Sequence, residues 1–271
     1  MVMLNKDTTL CISLAGRPSN IGTRFHNFLY DELGLNFIYK AFTTGDIEGA
    51  IRGVRALGIR GCSVSMPFKE AVIPLVDELE GSAAAIESVN TIVNDNGRLT
   101  ASNSDYRAVT KLIGLHGIDP TLPVLVRGSG GMAKAVVAAF CDADFTELTI
   151  LARNATAGRA LAEKYGYRWT AQEPPPGAAV IVNVTPLGMN GASADVLAFT
   201  TDHVRAADVV FDVVAFPDQT PLIRAGRSAG KQLITGAEVI ASQAAGQFEQ
   251  YTGVTLTPEQ IARASTFSRQ G

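Results

Sequence analysis

Histidine, cysteine and long apolar runs are scarce in this chain, and each scarcity removes a class of function. The three histidines, His26, His116 and His203, and the three cysteines, Cys11, Cys62 and Cys141, are scattered along the sequence. No two of them share a spacing that suits one metal ion, so no metal site is expected. The cysteines lie in apolar surroundings without a CxxC pair. That predicts reduced, buried fillers of a cytoplasmic protein rather than a disulfide framework. No apolar run approaches ~18 residues, so nothing is long enough to cross a bilayer. The opening residues, MVMLNKDTTL, have no basic region followed by an apolar core and a small-residue cleavage site, and no leader is expected. Charge is balanced: 23 Lys and Arg against 26 Asp and Glu leave a net charge of −3. Neither nucleic acid nor an anionic membrane is therefore an expected partner. The 271 residues, 46% hydrophobic and 18% charged, have an ordinary globular composition. The length suits one large domain or two smaller ones.

The stretch that organises the N-terminal part is residues 61–70, GCSVSMPFKE. A β-prone run ends in small hydroxyl residues, then Pro67, then Lys69. Proline is tolerated in the first turn of a helix, so the pattern predicts a helix start here. Lys69 would then stand at the mouth of a cleft, with Ser63 and Ser65 behind it. Residues 88–106, SVNTIVNDNGRLTASNSDY, read as a hairpin that returns a second polar cluster, Asn90 and Asp105. A lysine and an aspartate beside hydroxyls and amides suit proton transfer to or from an alcohol. Upstream, strand patterns at 9–14 and 36–42 alternate with helical patterns at 23–33 and 44–57. This is the signature of a mainly parallel sheet with helical cover.

A second organising stretch follows. Residues 122–127 form a short apolar strand, and GSGGMAKAVVAAF comes directly after it. Gly128, Gly130 and Ala133 fit G-x-G-x-x-A at a strand-to-helix turn, where backbone N–H groups can cradle a pyrophosphate. The next strand, 148–153, ends in Arg153, followed by Asn154 and Thr156, with Arg159 a turn away. NAD enzymes place an acid near this point for the ribose 2′-hydroxyl. A guanidinium here suits a 2′-phosphate and points to NADP. Further strands at 179–184, 209–214 and 232–235, with a short one near Trp169, complete a doubly wound domain. Two helices, near 238–251 and 258–268, form the tail.

Taken together, these residues resemble the shikimate dehydrogenase family. MPFKE with Lys69 is similar to the family's V-x-P-x-K motif. SVNT with Asn90 and NSD with Asp105 resemble AVNT and NTD. GSGGMA resembles the GAGGA loop, and LARNAT resembles the NRT of NADP-using members. NVTPLGM resembles N-x-T-x-x-G-M. GAEVIASQAA resembles the closing G-x-x-M-L-x-x-Q-A-A, with Gln243 at its glutamine. The resemblance implies an α/β fold with an N-terminal substrate domain (1–105), a Rossmann NADP domain (106–235) and C-terminal helices (236–271) returning to the first, with a cleft between the domains. It implies oxidation of a cyclohexene carbinol or the reverse, with Lys69 as acid and base and Asp105 orienting it. The implied substrate ligands are Asn20, Ser65, Lys69, Asn90, Asp105 and Gln243. The implied cofactor ligands are Gly128, Ser129, Gly130, Gly131, Met132, Ala133, Arg153, Asn154, Asn183, Thr185, Val213 and Gly236.

The chain also departs from that pattern. The family's S-x-S-P, whose hydroxyls hold the substrate carboxylate, is matched by Asn20, Gly22 and Thr23. The tyrosine of its Y-x-P segment is matched by Ala215. Ser65 replaces a threonine and Ser63 an asparagine. Asn20 is expected to act as a direct ligand; Arg24, on the first turn of the next helix, reads first as a solvated residue and only second as a grip on the carboxylate. Two other readings fit these residues: a dehydrogenase for quinate or another polyhydroxy cyclic acid, and a non-catalytic NADP-binding sensor. The expected partner is a small cyclic hydroxy acid, and the expected state is monomer or homodimer.

Overall fold

The computed structural model describes residues 4–270. The chain divides into two compact units. One runs up to Ser104 and resumes at Ala241, and the other covers Asp105–Ile240.

In the first unit the β/α alternation gives β1 (Thr9–Ala15), α1 (Asn20–Glu32), β2 (Phe37–Thr43), α2 (Ile47–Ala56) and β3 (Gly61–Val64). β1 lies between β2 and β3, parallel to both. Then come β4 (Glu78–Leu79), α3 (Gly81–Ile86), β5 (Thr91–Asp95) and β6 (Arg98–Ser102). They complete a six-stranded sheet in the order β2-β1-β3-β5-β6-β4. β5 is antiparallel to β3 and to β6. The β5–β6 hairpin turns on Asn96 (φ 52°) and Gly97 (φ 92°), the left-handed pair that a two-residue turn requires. Side chains alternate across β1. Ile12 and Leu14 pack with Ile51 and Val54 of α2 on one face, while Cys11 packs with Phe25, Leu29 and Phe248 on the other.

α4 (Ser104–Leu115) begins at the boundary of the second unit, which continues as β7 (Val124–Arg127), α5 (Gly131–Asp142), β8 (Leu148–Leu151), α6 (Ala155–Tyr165) and β9 (Arg168–Thr170). β10 (Val180–Asn183), α7 (Thr201–Ala206), β11 (Val209–Asp212), α8 (Pro221–Ser228) and β12 (Gln232–Ile234) follow. All of its strand pairings are parallel, in the order β12-β11-β10-β7-β8-β9. This is the doubly wound order, with its reversal between β7 and β10. α9 (Gly236–Thr252) crosses the boundary at Ala241, and α10 (Pro258–Ser268) belongs to the first unit. Thr257 and Gln260 cap α10 reciprocally, side chain to backbone in both directions.

Three local expectations need correction. No α-helix starts at Pro67. The Met66–Pro67 peptide is cis, and residues 65–68 form a reverse turn closed by the Phe68 N–H on the Ser65 carbonyl (2.9 Å). Before β4 only a single 3-10 turn, Ile73–Leu75, is formed. α1 begins at Asn20, three residues before the sequence pattern suggested. Arg24 is therefore in its second turn, outside the region where the helix dipole favours an anion most. Cys11 and Cys62 are buried, but Cys141, near the end of α5, is half-buried.

Candidate active site

The topology of the first sheet brings its polar residues to one end. β1, β2 and β3 finish there, β5 begins there, and β6, antiparallel to β5, finishes there. The register aligns Ser13, Ser63, Thr91 and Ser102 as one row across β1, β3, β5 and β6. α9 lies against this row. Ser63 Oγ donates to Gln247 Oε1 (2.9 Å), and Gln247 Nε2 donates to Thr91 Oγ1 (3.0 Å) and the Asn90 carbonyl (3.3 Å). Three residues on, Gln250 Oε1 accepts from Ser102 Oγ (3.1 Å).

Lys69 is held here by its backbone. Its carbonyl accepts from Val89 N (2.8 Å), Ser65 N donates to the Leu14 carbonyl (2.9 Å), and Gly16 N donates to that of Met66 (3.0 Å). Both ends of the lysine loop are thus pinned, one to the end of β1 and one beside Asn90. The Lys69 side chain is half-buried. Asn90 is 1% exposed. Its Oδ1 accepts from Ser104 N (2.7 Å), Thr91 Oγ1 (2.9 Å) and Ser104 Oγ (3.1 Å). Its Nδ2 is buried and has no acceptor. Unsatisfied buried donors are rare and costly, so this atom is a candidate for a ligand oxygen. Asp105, buried, follows Ser104 directly in the first turn of α4.

Of the other substrate candidates, Ser65 and Asn20 are exposed, and Gln243 is half-buried outside this network. Gln247, one turn along α9, engages the row together with Gln250. Its spacing from Gln243 marks it as a neighbour on one helical face. Tyr39 is a second residue not singled out from sequence. Its hydroxyl donates to Ser63 Oγ (2.9 Å), and it lies 3.6 Å from where a side chain at Gly22 would begin. Burial holds this phenol, and that of Tyr251, well above the ordinary range. Arg24 donates to the carbonyl of Gln270.

In the second unit the glycine turn joins β7 to α5. Gly128 has φ +128°, and a Cβ there would sit 2.7 Å from Val184 Cγ2, so the chain itself requires glycine. Gly130 and Gly131 are different: a Cβ at either would meet nothing within 4 Å. α5 opens without a side-chain cap and without an acid in its first turn. Uncapped N–H groups beside space that the glycines keep clear fit a phosphate group. Ala133 is 0% exposed and lets α5 pack on the sheet, with Met132 at the core's edge. Ser129 is half-buried.

Arg153, just past β8, is exposed. Asn154 caps α6 by accepting from Ala157 N (3.1 Å). Arg159 lies over the face of Trp169, 4.6 Å from the ring centroid. Asn183 is 0% exposed and bonded at both ends of its amide. Nδ2 donates to the Leu187 carbonyl and Asp212 Oδ1 (both 3.0 Å), and Oδ1 accepts from Thr185 N (3.1 Å) and Oγ1 (2.6 Å). Asn183 therefore shapes the loop that carries Thr185. Asp212 also accepts from Thr220 Oγ1 (2.6 Å) and Val214 N (3.1 Å). Burial pushes its carboxyl up to about 6 against these bonds. Val213 is half-buried against the core. Gly236 is glycine because a Cβ would lie 2.0 Å from the Val214 carbonyl oxygen. Among the described residues no cluster of His, Cys, Asp and Glu could hold a metal ion, and no helix is long and apolar enough to cross a membrane.

Residues 20–92 match the model of the shikimate dehydrogenase substrate binding domain. A shikimate dehydrogenase-like protein of Haemophilus influenzae is 58% identical over 268 residues, covering 98% of this chain and 99% of its own. The shikimate dehydrogenase (NADP(+)) of Chlorobaculum tepidum is 34% identical over 259 residues, 88% of each chain. The structure of shikimate 5-dehydrogenase from Thermus thermophilus, in complex with NADP(H) and shikimate, superposes with a TM-score of 0.87 at 27% identity, covering 96% of this chain and 99% of that one. On this likeness along nearly its whole length, the chain belongs to the shikimate dehydrogenase family.

Proposed function

We propose that the chain is an NADP-dependent dehydrogenase that interconverts shikimate and 3-dehydroshikimate. One observation carries the substrate half of this reading: the buried, unpartnered Asn90 Nδ2, one residue from the backbone bond that pins the Lys69 loop. A polyol substrate offers the acceptor this donor lacks. The cofactor half fits the cleared glycine turn, the uncapped N-terminus of α5 and the exposed Arg153. NADP, when bound, supplies or takes up the hydride at the carbon bearing the reacting hydroxyl. Lys69 removes the hydroxyl proton as the alcohol becomes a ketone and returns it in the reverse direction. Asp105 orients the hydroxyl and the ammonium. Ser65, Asn90 and Gln243 bind the remaining hydroxyls, and Asn20 lies toward the carboxylate.

A panel of cyclic hydroxy acids, assayed with NADP and with NAD by absorbance of the reduced cofactor, tests the reading. Shikimate with NADP should turn over fastest. Turnover of quinate alone would replace the substrate, and no turnover with retained NADP binding would make the chain a sensor. Arg153→Ala should raise the KM for NADP by at least about tenfold, the loss of one charged hydrogen-bonding partner, and leave that for NAD unchanged. Equal effects on both cofactors would remove Arg153 from the 2′-phosphate.

The absence of side chains or hydroxyls at Gly22 and Ala215 favours a weakened carboxylate end. Serine fits at Gly22, since its Cβ would make an ordinary 3.6 Å contact with the Tyr39 hydroxyl. Asn20→Ser with Gly22→Ser should lower the shikimate KM about fivefold per hydrogen bond restored, with kcat little changed. A higher KM would show that the present residues already form a good site of another design.

A further inference from the structure

Asn90's amide could face the substrate with either its oxygen or its nitrogen, and the two choices select opposite ligand groups. Ser104 N can only donate, and it lies 2.7 Å from Oδ1. The Thr91 hydroxyl adds a second donor at 2.9 Å. That hydroxyl is free to point elsewhere unless something occupies its lone pairs, and Gln247 Nε2 does so at 3.0 Å. Gln247 is itself oriented by the Asn90 carbonyl, which can only accept and takes Nε2 at 3.3 Å, so Oε1 is left to accept from Ser63 Oγ at 2.9 Å, which in turn accepts from Tyr39. The shorter bonds run one way, Tyr39 to Ser63, Ser63 to Gln247, Gln247 to Thr91 and Thr91 to Asn90, with Ser104 Oγ a longer acceptor for Thr91 (3.3 Å) and the Tyr251 hydroxyl beside Ser63 (3.2 Å). Gln247, Thr91 and Asn90 are 6%, 0% and 1% exposed, so bulk water does not reach the links among these three.

We infer that Gln247 is a positioning residue. Ser104 N sets the side of Asn90 that holds Oδ1; by occupying a Thr91 lone pair, Gln247 keeps the Thr91 hydroxyl as a further donor that locks the amide there and leaves its NH2 group for a ligand. The ligand oxygen at this point must then accept a hydrogen bond, as a hydroxyl or carbonyl oxygen does and an ammonium or amide N–H does not. This rests on the proposed dehydrogenase reading only for the identity of the ligand; the direction of the chain is independent of it.

The decisive variant is Gln247→Glu. While its new carboxyl is protonated, its one O–H can still serve Thr91, giving up the longer bond to the Asn90 carbonyl, so the chain keeps its direction. Once ionised, that carboxylate accepts from both Ser63 and Thr91, and the Thr91 hydroxyl turns away from Asn90. Burial raises the carboxyl into the assay range. The buried Tyr39 and Tyr251 remain protonated there; His26 is kept neutral by burial but adjoins Gln247, so the profile is measured in the His26→Phe background, where, of the groups packed here, only the new carboxyl can titrate. The shikimate KM relative to His26→Phe alone should be near one at pH 5.5 and rise about tenfold by pH 9. The KM for NADP should not change, and kcat should stay within about twofold. Thr91→Val should show the high-pH defect at every pH, and adding Gln247→Glu to it should add nothing. A ratio independent of pH, or additive defects, would overturn the inference. Wild-type turnover of shikimate separately tests the dehydrogenase reading. If that fails, or if Gln247→Glu does not fold, the side-chain amide resonances of 15N-asparagine protein decide. Gln247→Met should shift the Asn90 NH2 pair, and a pair that moves with Thr91→Val but not with Gln247→Met would overturn the inference without any substrate.

Discussion

Lys69→Ala is expected to lower kcat by ~10²–10⁴-fold, the usual contribution of a general acid or base, while NADP still binds. The architecture makes this substitution clean. The loop is fixed by main-chain bonds from Val89 N, Ser65 N, Gly16 N and Phe68 N. None of these needs the side chain, so alanine should keep the loop in place and remove only the ammonium. In the proposed reaction Lys69 acts as a neutral amine in oxidation and as an ammonium in reduction, and two consequences follow from its loss. In oxidation there is no group to take the alcohol's proton, and in reduction nothing neutralises the developing alkoxide. Both directions should therefore slow by the same factor, because the interaction is made in the shared transition state. Titration of NADPH fluorescence checks that the cofactor site survives, since the glycine turn belongs to the second unit. Wild-type turnover in the variant would remove Lys69 from the chemistry, and a lost cofactor signal would show that the loop matters to more than the proton.

The second unit was easier to read from sequence than the first. Its strands are short, apolar and consecutive, and a doubly wound order follows almost directly from β/α alternation. Gly128 and Ala133 follow from local rules, because a left-handed turn and a close helix–sheet contact need them. The first unit depends on register. Ser63, Thr91 and Ser102 become neighbours only when β3, β5 and β6 pair as they do. The helix that completes them, with Gln247, comes about 150 residues after Thr91 along the chain. No local periodicity carries such information. Pro67 shows the opposite failure. A proline followed by charged residues fits a helix start, but the chain makes a reverse turn, anchored by contacts to β1 and to Val89 that the local sequence does not show. Motif reading also merges two roles. Asn183 and Gly236 stand in segments that resemble cofactor motifs, yet the first is fully bonded inside the protein and the second is fixed by close packing on Val214.

The second large effect concerns acid stability and rests on His26. Its ring is 0% exposed, stacks on Tyr39 at 4.4 Å between centroids, and has no hydrogen-bond partner on either nitrogen. Burial drives the imidazole down from 6.5 to about 3, and the nearby Gln247, committed to Thr91 and the Asn90 carbonyl, opposes this only weakly. The unfolded chain binds a proton below pH 6.5 and the folded one does not. Stability is therefore complete above that pH and falls as the solution is acidified, by about 5 kcal/mol once pH nears 3. Asp212 has the opposite sign. Its carboxyl, raised to about 6, makes the folded state the tighter proton binder, so its contribution is present in acid and lost as pH rises through 6. The two groups lie in different units, which allows them to be separated. Trp169, the one tryptophan, reports the second unit by fluorescence, and hydrogen exchange in α1 reports the first. Between pH 6.5 and 5 the wild-type first unit should lose about 2 kcal/mol in urea unfolding while the second does not weaken. His26→Phe should cancel the loss. At pH 7.5 it should cost little, since an apolar ring of similar shape replaces two unsatisfied nitrogens. Parallel acid profiles for wild type and His26→Phe would show that the proton acts elsewhere in the first unit.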